Sequence, residues 1–399
     1  MTEAPACRIA PPAFFSEPGL AALLDALPEA RAVGGAVRDT LARRRFSDID
    51  LASPLPPAVV MARLNAAGIK VIPTGLSHGT VTAVPPGGAA VEITTLRRDV
   101  ETNGRHAVVA FTDDWRADAA RRDFTINALS MTRDGAVFDY FDGLADLRAG
   151  RLRFVGDPAA RVAEDHLRVL RFFRFFARHG AVEPDAATLN ALRGAASCLA
   201  ALPVERVWHE LTRVLAAPDP AASIILMERL GVLAAVVPEG TDVPALARLV
   251  ARGGPVDPML RMSALLTGDA MTFAARLKLS LAERDRLVAL RAAPLARPED
   301  DDAALRRLLA GTAVETLIGR TWLADARDPA ADHAGVREKL RTTPRPVLPL
   351  EGRDVVMLGV PPSKRVGEIL RMVRAWWLAE GCIADAEACR GEARKLARM

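Results

Sequence analysis

Up to about residue 140 the chain shows short runs in which apolar and polar positions alternate, each broken by Gly or Pro: RAVGG, DIDLA, KVIPT, GTVTAV, AAVEITTL and GAVFDYF. A period of two over such runs predicts half-buried strands. Between them, AVRDTLARRR and PAVVMARLNAAG carry apolar residues at helical spacing. From about residue 157 to the end the period changes, and Ala, Leu and Arg recur every three or four positions. The interruptions APDPAAS, APLARPEDDD and TTPRPVLPLEG divide this part into helical blocks. The pattern predicts an α+β fold: a small head with a mixed sheet and helices, then an elongated all-α neck, body and tail. The expected boundaries are 1–148 for the head, 149–216 for the neck, 217–298 for the body and 299–399 for the tail.

Composition narrows the class. The chain has 399 residues, half of them hydrophobic and about a quarter charged, enough for two to four separate cores. No apolar run approaches the roughly 18 residues of a membrane span, so no membrane partner is expected. The N-terminus lacks a basic stretch followed by an apolar one, which predicts no secretory signal and a cytoplasmic location. Four scattered cysteines form no CxxC pair, against a zinc ribbon or a disulfide framework. The net charge of +4 comes from arginine, with only five lysines among 53 basic residues. Arginine suits phosphate and base edges, although a GC-rich genome favours the same residue. This balance permits a nucleic-acid partner without requiring one.

The chemistry concentrates in ARAVGGAVRDTLARRRFSDIDLASP, residues 30–54. On a strand, Asp48 and Asp50 share one face, their Cα atoms roughly 6.5 Å apart, while Ile49 and Leu51 enter the core. Two carboxylates so placed repel unless a cation lies between them, and Mg²⁺ takes a couple of carboxylates plus substrate phosphates. Glu92, alternating with Val91 and Ile93, would add a third acid if its strand pairs with the first. A solvent-facing edge strand explains such acids equally well when they are taken alone. Their neighbours favour the metal. Gly34 and Gly35 let backbone approach a phosphate at the start of a helix, and Arg38 follows one turn in. Neither a Walker A pattern nor a GxGxxG fingerprint occurs. Glycine turn, arginine and paired aspartates together point to a nucleoside triphosphate with its metals.

These residues resemble the first signature of the class II tRNA nucleotidyltransferase and poly(A) polymerase family, GGxVRD followed by DxD. Further stretches are similar to later family segments in the same order: PTGLSHGTVTAV (73–84), RRDFTINALS (121–130), YFDGLADL (140–147), EDHLRVLRFFRF (164–175), ERVWHEL (205–211) and EGRDVVMLGVPPSKRVGEIL (351–370). One departure is visible: the family usually carries a glycine before the arginine that follows its first helix, where this chain has Ala42 and Arg43. The resemblance implies a nucleotidyltransferase that adds C and A to the 3′ end of tRNA from CTP and ATP. It leaves open a poly(A) polymerase, a partial CC- or A-adding enzyme, or a non-catalytic RNA-binding relative, the last being expected to have lost an aspartate that this chain keeps. It implies Asp48 and Asp50 as ligands of Mg²⁺, with Glu92 beside them in catalysis. Arg121, Arg122, Asp123 and Asn127 fall in its ribose-recognition motif, where an aspartate can accept from a 2′-OH.

The stretch 156–180 has good helix punctuation, with Asp157 as N-cap, Pro158 at the first position and Gly180 at the end, and predicts one continuous helix. Asp165 and Arg168 are then three apart on one face. An acid acceptor beside a guanidinium donor complements the amino group and ring nitrogen that cytosine and adenine share, whereas guanine and uracil present the reverse. The same pair in an arbitrary helix would be a surface ion pair. Glu164 is expected to orient Arg168, and Arg171 and Arg174 to serve phosphates or hold the pair. His78 reads as a turn histidine, and Trp376 and Trp377 as core rather than as an RNA-stacking platform. The six histidines form no HxxxH, and none precedes an aspartate, so a His-Asp phosphohydrolase module is not expected.

Overall fold

The computed structural model describes residues 3–46, 48–103 and 106–398, with 99–103 and 106–109 described in their backbone only. The chain forms two compact units, Met1–Val236 and Val237–Met399.

Among the described residues the first unit has ten strands: β1 (Cys7–Arg8), β2 (Arg31–Val33), β3 (Asp50–Ser53), β4 (Lys70–Gly75), β5 (Thr80–Val84), β6 (Val91–Thr95), β7 (Arg97–Asn103), β8 (His106–Phe111), β9 (Ser130–Met131) and β10 (Ala136–Phe138). Eight of them make one sheet in the order β1-β10-β9-β2-β3-β6-β5-β4, and β7 pairs with β8 in a separate hairpin. Only β3 and β6 run parallel, so the sheet is mixed, as the pattern predicted. The hairpin was not legible as strands. The main core lies where Leu51, Val81, Val91 and Ile93 meet Leu20, Leu23, Val60 and Leu64 of two flanking helices. Val33 and Ala52 instead form a smaller apolar cluster with Leu96.

Alternation explains β3 and β6: Leu51 and Ile93 are fully buried while Asp50 and Glu92 stay exposed. The register pairs Asp50 with Val33 on one side and with Glu92 on the other. Asp48 departs from expectation because it lies ahead of the strand in irregular backbone. The ladder stops at Asp50 for a local reason. After Val33 the neighbouring chain turns at Gly34 into the helix Gly35–Leu41, so its pairing with β3 reaches no further than Asp50.

Helices complete the unit. The expected single helix over 158–179 is broken into Pro158–Glu164 and Leu167–His179, with Asp165 between them in extended conformation (φ −153°). The Asp165 side chain accepts from the Leu167 backbone N–H at 3.0 Å, giving the second helix the capping bond that aspartate provides better than it tolerates a helix interior. The second unit, taken by itself, is helical. Its C-terminal core surrounds Trp377, which is buried and donates its indole N–H to the Ala384 carbonyl at 3.2 Å; Trp376 packs half-buried on the same cluster. Asp325 fastens another part of the unit by accepting from Arg337 and pairing with the His333 ring, both at 2.6 Å. Among the described residues no helix is long and apolar enough to cross a membrane.

Candidate active site

The sequence signature resolves into one cleft of ≈ 960 Å³ within the first unit. On the sheet side it is lined by Gly34, Gly35, Arg38, Asp48 and Asp50; Arg121, Arg122, Asp123 and Asn127 form its middle. Asp165, Arg168, Arg171 and Arg174 face them from the neck. Thus thirteen candidate residues drawn from four separated motifs meet in one place. Glu92 is the register neighbour of Asp50 but does not line the cleft, and Glu164 stands behind Arg168.

The glycine turn is dictated by backbone geometry. Gly34 has φ 65° and ψ −125°, a conformation closed to side chains bearing a Cβ, and it ends β2 while opening the helix Gly35–Leu41. That helix ends at Ala42, and Arg43 then takes φ 54°, the left-handed conformation glycine adopts with least strain. The departure noted in the sequence therefore lies at a helix end.

The acids sit in strained electrostatics. Burial of the carboxyl and the neighbouring charge of Glu92 raise the Asp50 pKa above the ordinary aspartate value; Arg122 pulls it down and Asp48 pushes it up. Acids that disfavour one another's charge, with solvent access on the cleft side, form a donor set suited to a hard divalent cation. Among the described residues no group of three or more His, Cys, Asp or Glu side chains is gathered closely enough to hold a metal by itself.

Behind the acids runs a continuous hydrogen-bonded chain. Arg38 is buried; its Nε and Nη2 donate to Asp39 at 2.9 and 2.7 Å, and its Nη1 donates to the Asn127 side-chain oxygen at 2.6 Å. The Asn127 amide donates onward to Asp123 at 3.0 Å, and the same carboxylate accepts Nε and Nη2 of Arg171 at 2.8 and 2.6 Å. The Phe124 backbone N–H occupies a further acceptor site of Asp123. Burial pushes the Asp123 carboxyl up, but Arg171 and Asn127 outweigh it and hold the group below the usual range. Arg38 and Asp123, read from sequence as direct contacts to phosphate and ribose, are thus tied first to one another through Asn127. The chain joins the glycine-turn helix to the neck helix. Apolar packing follows the same route: the Phe124 ring lies 5.3 and 6.0 Å from those of Phe175 and Phe172. Gly143, beyond, permits close approach, since an added Cβ would fall 2.2 Å from the Thr125 carbonyl oxygen.

Asn127→Ala should leave Arg38 and Asp123 each short of a partner in a largely buried setting. The expected cost is about 1–3 kcal/mol, read as a lower urea midpoint at unchanged m value. An unmoved midpoint would show that the chain of bonds carries no stability.

The neck pairs differ from expectation in their partners. Asp165 does not pair with Arg168. Its second carboxylate oxygen accepts Arg206 Nη2 at 2.9 Å, while Arg168 Nη1 donates to Glu164 and, at 2.9 Å, to the Arg161 carbonyl. Among the described residues, Arg168 Nε and Nη2 carry no hydrogen bond. Acceptor and donor therefore face the same cleft from independent supports: Arg168 keeps Nε and Nη2 for a further partner, and Asp165 would take one by sharing an oxygen that already accepts a bond. Arg174 Nη1 donates to Glu210 at 3.1 Å; burial lowers its pKa to about 10 against the pull of Glu210. Arg206 and Glu210, both within ERVWHEL, were missed as site residues because they act from about forty positions downstream. Their spacing of four, which places both on one helix face, was the available signal.

Comparisons with known proteins place the chain in a family. Residues 30–153 match the poly A polymerase head domain and residues 182–243 the probable RNA and SrmB-binding site of polymerase A. Over 373 residues the chain is 34% identical to the mitochondrial CCA tRNA nucleotidyltransferase 1 of Danio rerio, covering 88% of this chain and 83% of that protein. The chain belongs to the CCA tRNA nucleotidyltransferase family. As a member it is a nucleotidyltransferase with an α+β fold. It is also 40% identical over 216 residues to a CCA-adding enzyme of Leuconostoc mesenteroides, covering 54% of this chain. The crystal structure of the Bacillus stearothermophilus CCA-adding enzyme in complex with CTP matches with a TM-score of 0.73 and 27% identity, over 91% of this chain and 94% of that one.

Proposed function

We propose that this protein adds C and A, without a template, to the 3′ end of tRNA, using CTP and ATP and releasing pyrophosphate. The observation that carries the proposal is the meeting of Asp48 and Asp50 with the Asp165 and Arg168 side chains in one cleft. Asp165 offers an acceptor to the amino group of cytosine or adenine, and Arg168 offers a donor to the adjacent ring nitrogen. Guanine and uracil would set donor against donor, and leaving buried polar groups unpaired is the strong form of rejection.

In this reading the triphosphate lies over the Gly34–Gly35 turn with Arg122 beside it. Asp48 and Asp50 hold Mg²⁺, with Glu92 flanking them. Bound there, the cation supplies acidity to the primer 3′-OH and neutralises charge on the leaving pyrophosphate. The protein's remaining work is positional. Arg38, Asn127, Asp123 and Arg171 fix the base-reading helix relative to the acids, so that the hydroxyl, the α-phosphate and the leaving group can come into line. Asp123 would meet a ribose hydroxyl only by sharing an oxygen already engaged. We assign the head, residues 1–148, to chemistry and 149–216 to base choice. The body (217–298) and tail (299–399) we assign to gripping tRNA, in the cytoplasm.

The test is incubation with tRNA lacking its CCA end and each labelled nucleotide, alone and then together. Ordered incorporation of C, C and A is expected. Long A tails from ATP alone would make the protein a poly(A) polymerase, and arrest after CC, or addition of A only to a CC end, would make it a partial enzyme. No incorporation with Mg²⁺ present would overturn the proposal.

A further inference from the structure

Two helices of the neck present charged stripes to the cleft. Leu167–His179 presents Arg171, Arg174 and Arg178, and Val204–Leu215 presents Arg206 and Arg213, each set one or two turns apart on one face, while Glu210 of the second helix is buried outside the cleft lining. Three of the five arginines are neutralised by carboxylates: Arg171 by Asp123, Arg174 by Glu210 and Arg206 by Asp165. Arg178 and Arg213 are not. Both are exposed, both line the cleft, and among the described residues neither guanidinium has a hydrogen-bond or ion-pair partner. Each stands in the last turn of its helix, at the end where the helix dipole attracts a cation. Arg213 also lies close enough to Arg174 to help lower that residue's pKa, so the cationic field at this end is not cancelled internally.

Position decides what anion fits. The candidate base-reading side chain Arg168 precedes Arg178 by ten residues, about 15 Å along the helix axis. The candidate triphosphate contacts are the Gly34–Gly35 turn and Arg122, on the sheet side of the cleft. Near Arg178 the chain that leaves the helix Gly35–Leu41 closes in: Arg44 donates to the Arg178 carbonyl, and the exposed Arg45 lines the same cleft as Asp48. A polyanion entering there would lead toward Asp48 and Asp50 from the side away from the base.

We propose that Arg178 and Arg213 bind the phosphodiester backbone of the RNA primer just upstream of its 3′ end and so aim the terminal hydroxyl at the acids. The inference rests on the reading of the cleft as a nucleotide-transfer site. It adds the primer's own subsite, separate from the triphosphate's.

The test is steady-state kinetics of Arg178→Gln, Arg213→Gln and the double variant with tRNA lacking CCA, across a range of salt concentrations. The double variant should raise KM for the primer about tenfold or more, with KM for CTP and ATP within about twofold. Its plot of log affinity for RNA against log salt should be shallower by about 1.4, near 0.7 for each single-strand phosphate that an arginine no longer neutralises. Both residues are exposed, so an unchanged melting temperature should accompany the effect. An unchanged primer KM and salt slope would overturn the proposal, as would a raised KM for CTP or weaker inhibition by pyrophosphate, which would assign the pair to the triphosphate. Wild-type protein that extends no primer would instead sink the transfer reading itself, so the two failures are distinguishable.

Discussion

Asp50→Ala should lower kcat for CMP and AMP incorporation by about 10³-fold or more, with KM for CTP changed by less than about threefold. The asymmetry follows from what the carboxylate does. On the proposed reading, ground-state contacts to the nucleotide come from the glycine turn, the arginines and the base-reading pair, all of which survive the substitution. The charge at position 50 matters when negative charge builds on the leaving pyrophosphate and the attacking oxygen needs a metal. Asp50→Asn should lose as much, because it keeps the shape and removes the charge. Neither variant should unfold the protein. Burial, Glu92 and Asp48 all disfavour the ionised form of Asp50, with only Arg122 opposing them, so neutralising it removes repulsion and the melting temperature should hold or rise slightly. Asp48→Ala should match Asp50→Ala in rate. Activity above about a tenth of wild type in either variant would remove the paired aspartates from the mechanism. Glu92→Gln serves as the comparison, since Glu92 is the register neighbour of Asp50 but stands outside the cleft lining.

The strands around these acids were legible because their neighbours obey a period of two: Leu51 and Ile93 inward, Asp50 and Glu92 outward. Alternation cannot supply the partner. That Asp50 meets Glu92 in parallel register depends on pairing across about forty residues, which a local pattern does not encode. Asp48 misled for a related reason. Its spacing from Asp50 is strand-like, but a strand persists only while a neighbour offers hydrogen bonds, and the neighbour leaves the sheet at Gly34. The neck helix misled in the opposite way. Apolar periodicity ran through 158–179 without a fault, while the one polar residue able to interrupt it, Asp165, caps better than it propagates. Resemblance named the candidate residues that share the cleft and not their partners. The chain Arg38–Asn127–Asp123–Arg171 and the pairs Arg206–Asp165 and Arg174–Glu210 are long-range contacts, visible only once the helices are packed.

Asp165→Ala should cost the enzyme its choice of base. On the proposed reading the wild-type ratio of kcat/KM for CTP over UTP, and for ATP over GTP, rests on one acceptor and one donor, and a site built on such hydrogen bonds discriminates by about 10⁴. Deleting the acceptor should collapse both ratios by about 10²-fold or more, while KM for the RNA primer stays within about twofold. Because Asp165 also caps the neck helix through Leu167 N–H and holds Arg206, the alanine alone could act by loosening the helix. Asp165→Asn separates the two effects: the amide keeps a capping oxygen but turns an N–H₂ donor toward the base. It should therefore lower kcat/KM for CTP and ATP while the melting temperature stays near wild type. Arg206→Gln probes the support. Freed from Arg206, the carboxylate should keep its preference for an amino group but hold it less rigidly, giving a smaller loss of selectivity than either change at position 165. If base ratios persist in Asp165→Asn while primer affinity falls, Asp165 belongs to the RNA-binding surface, and base choice must be sought elsewhere in the cleft.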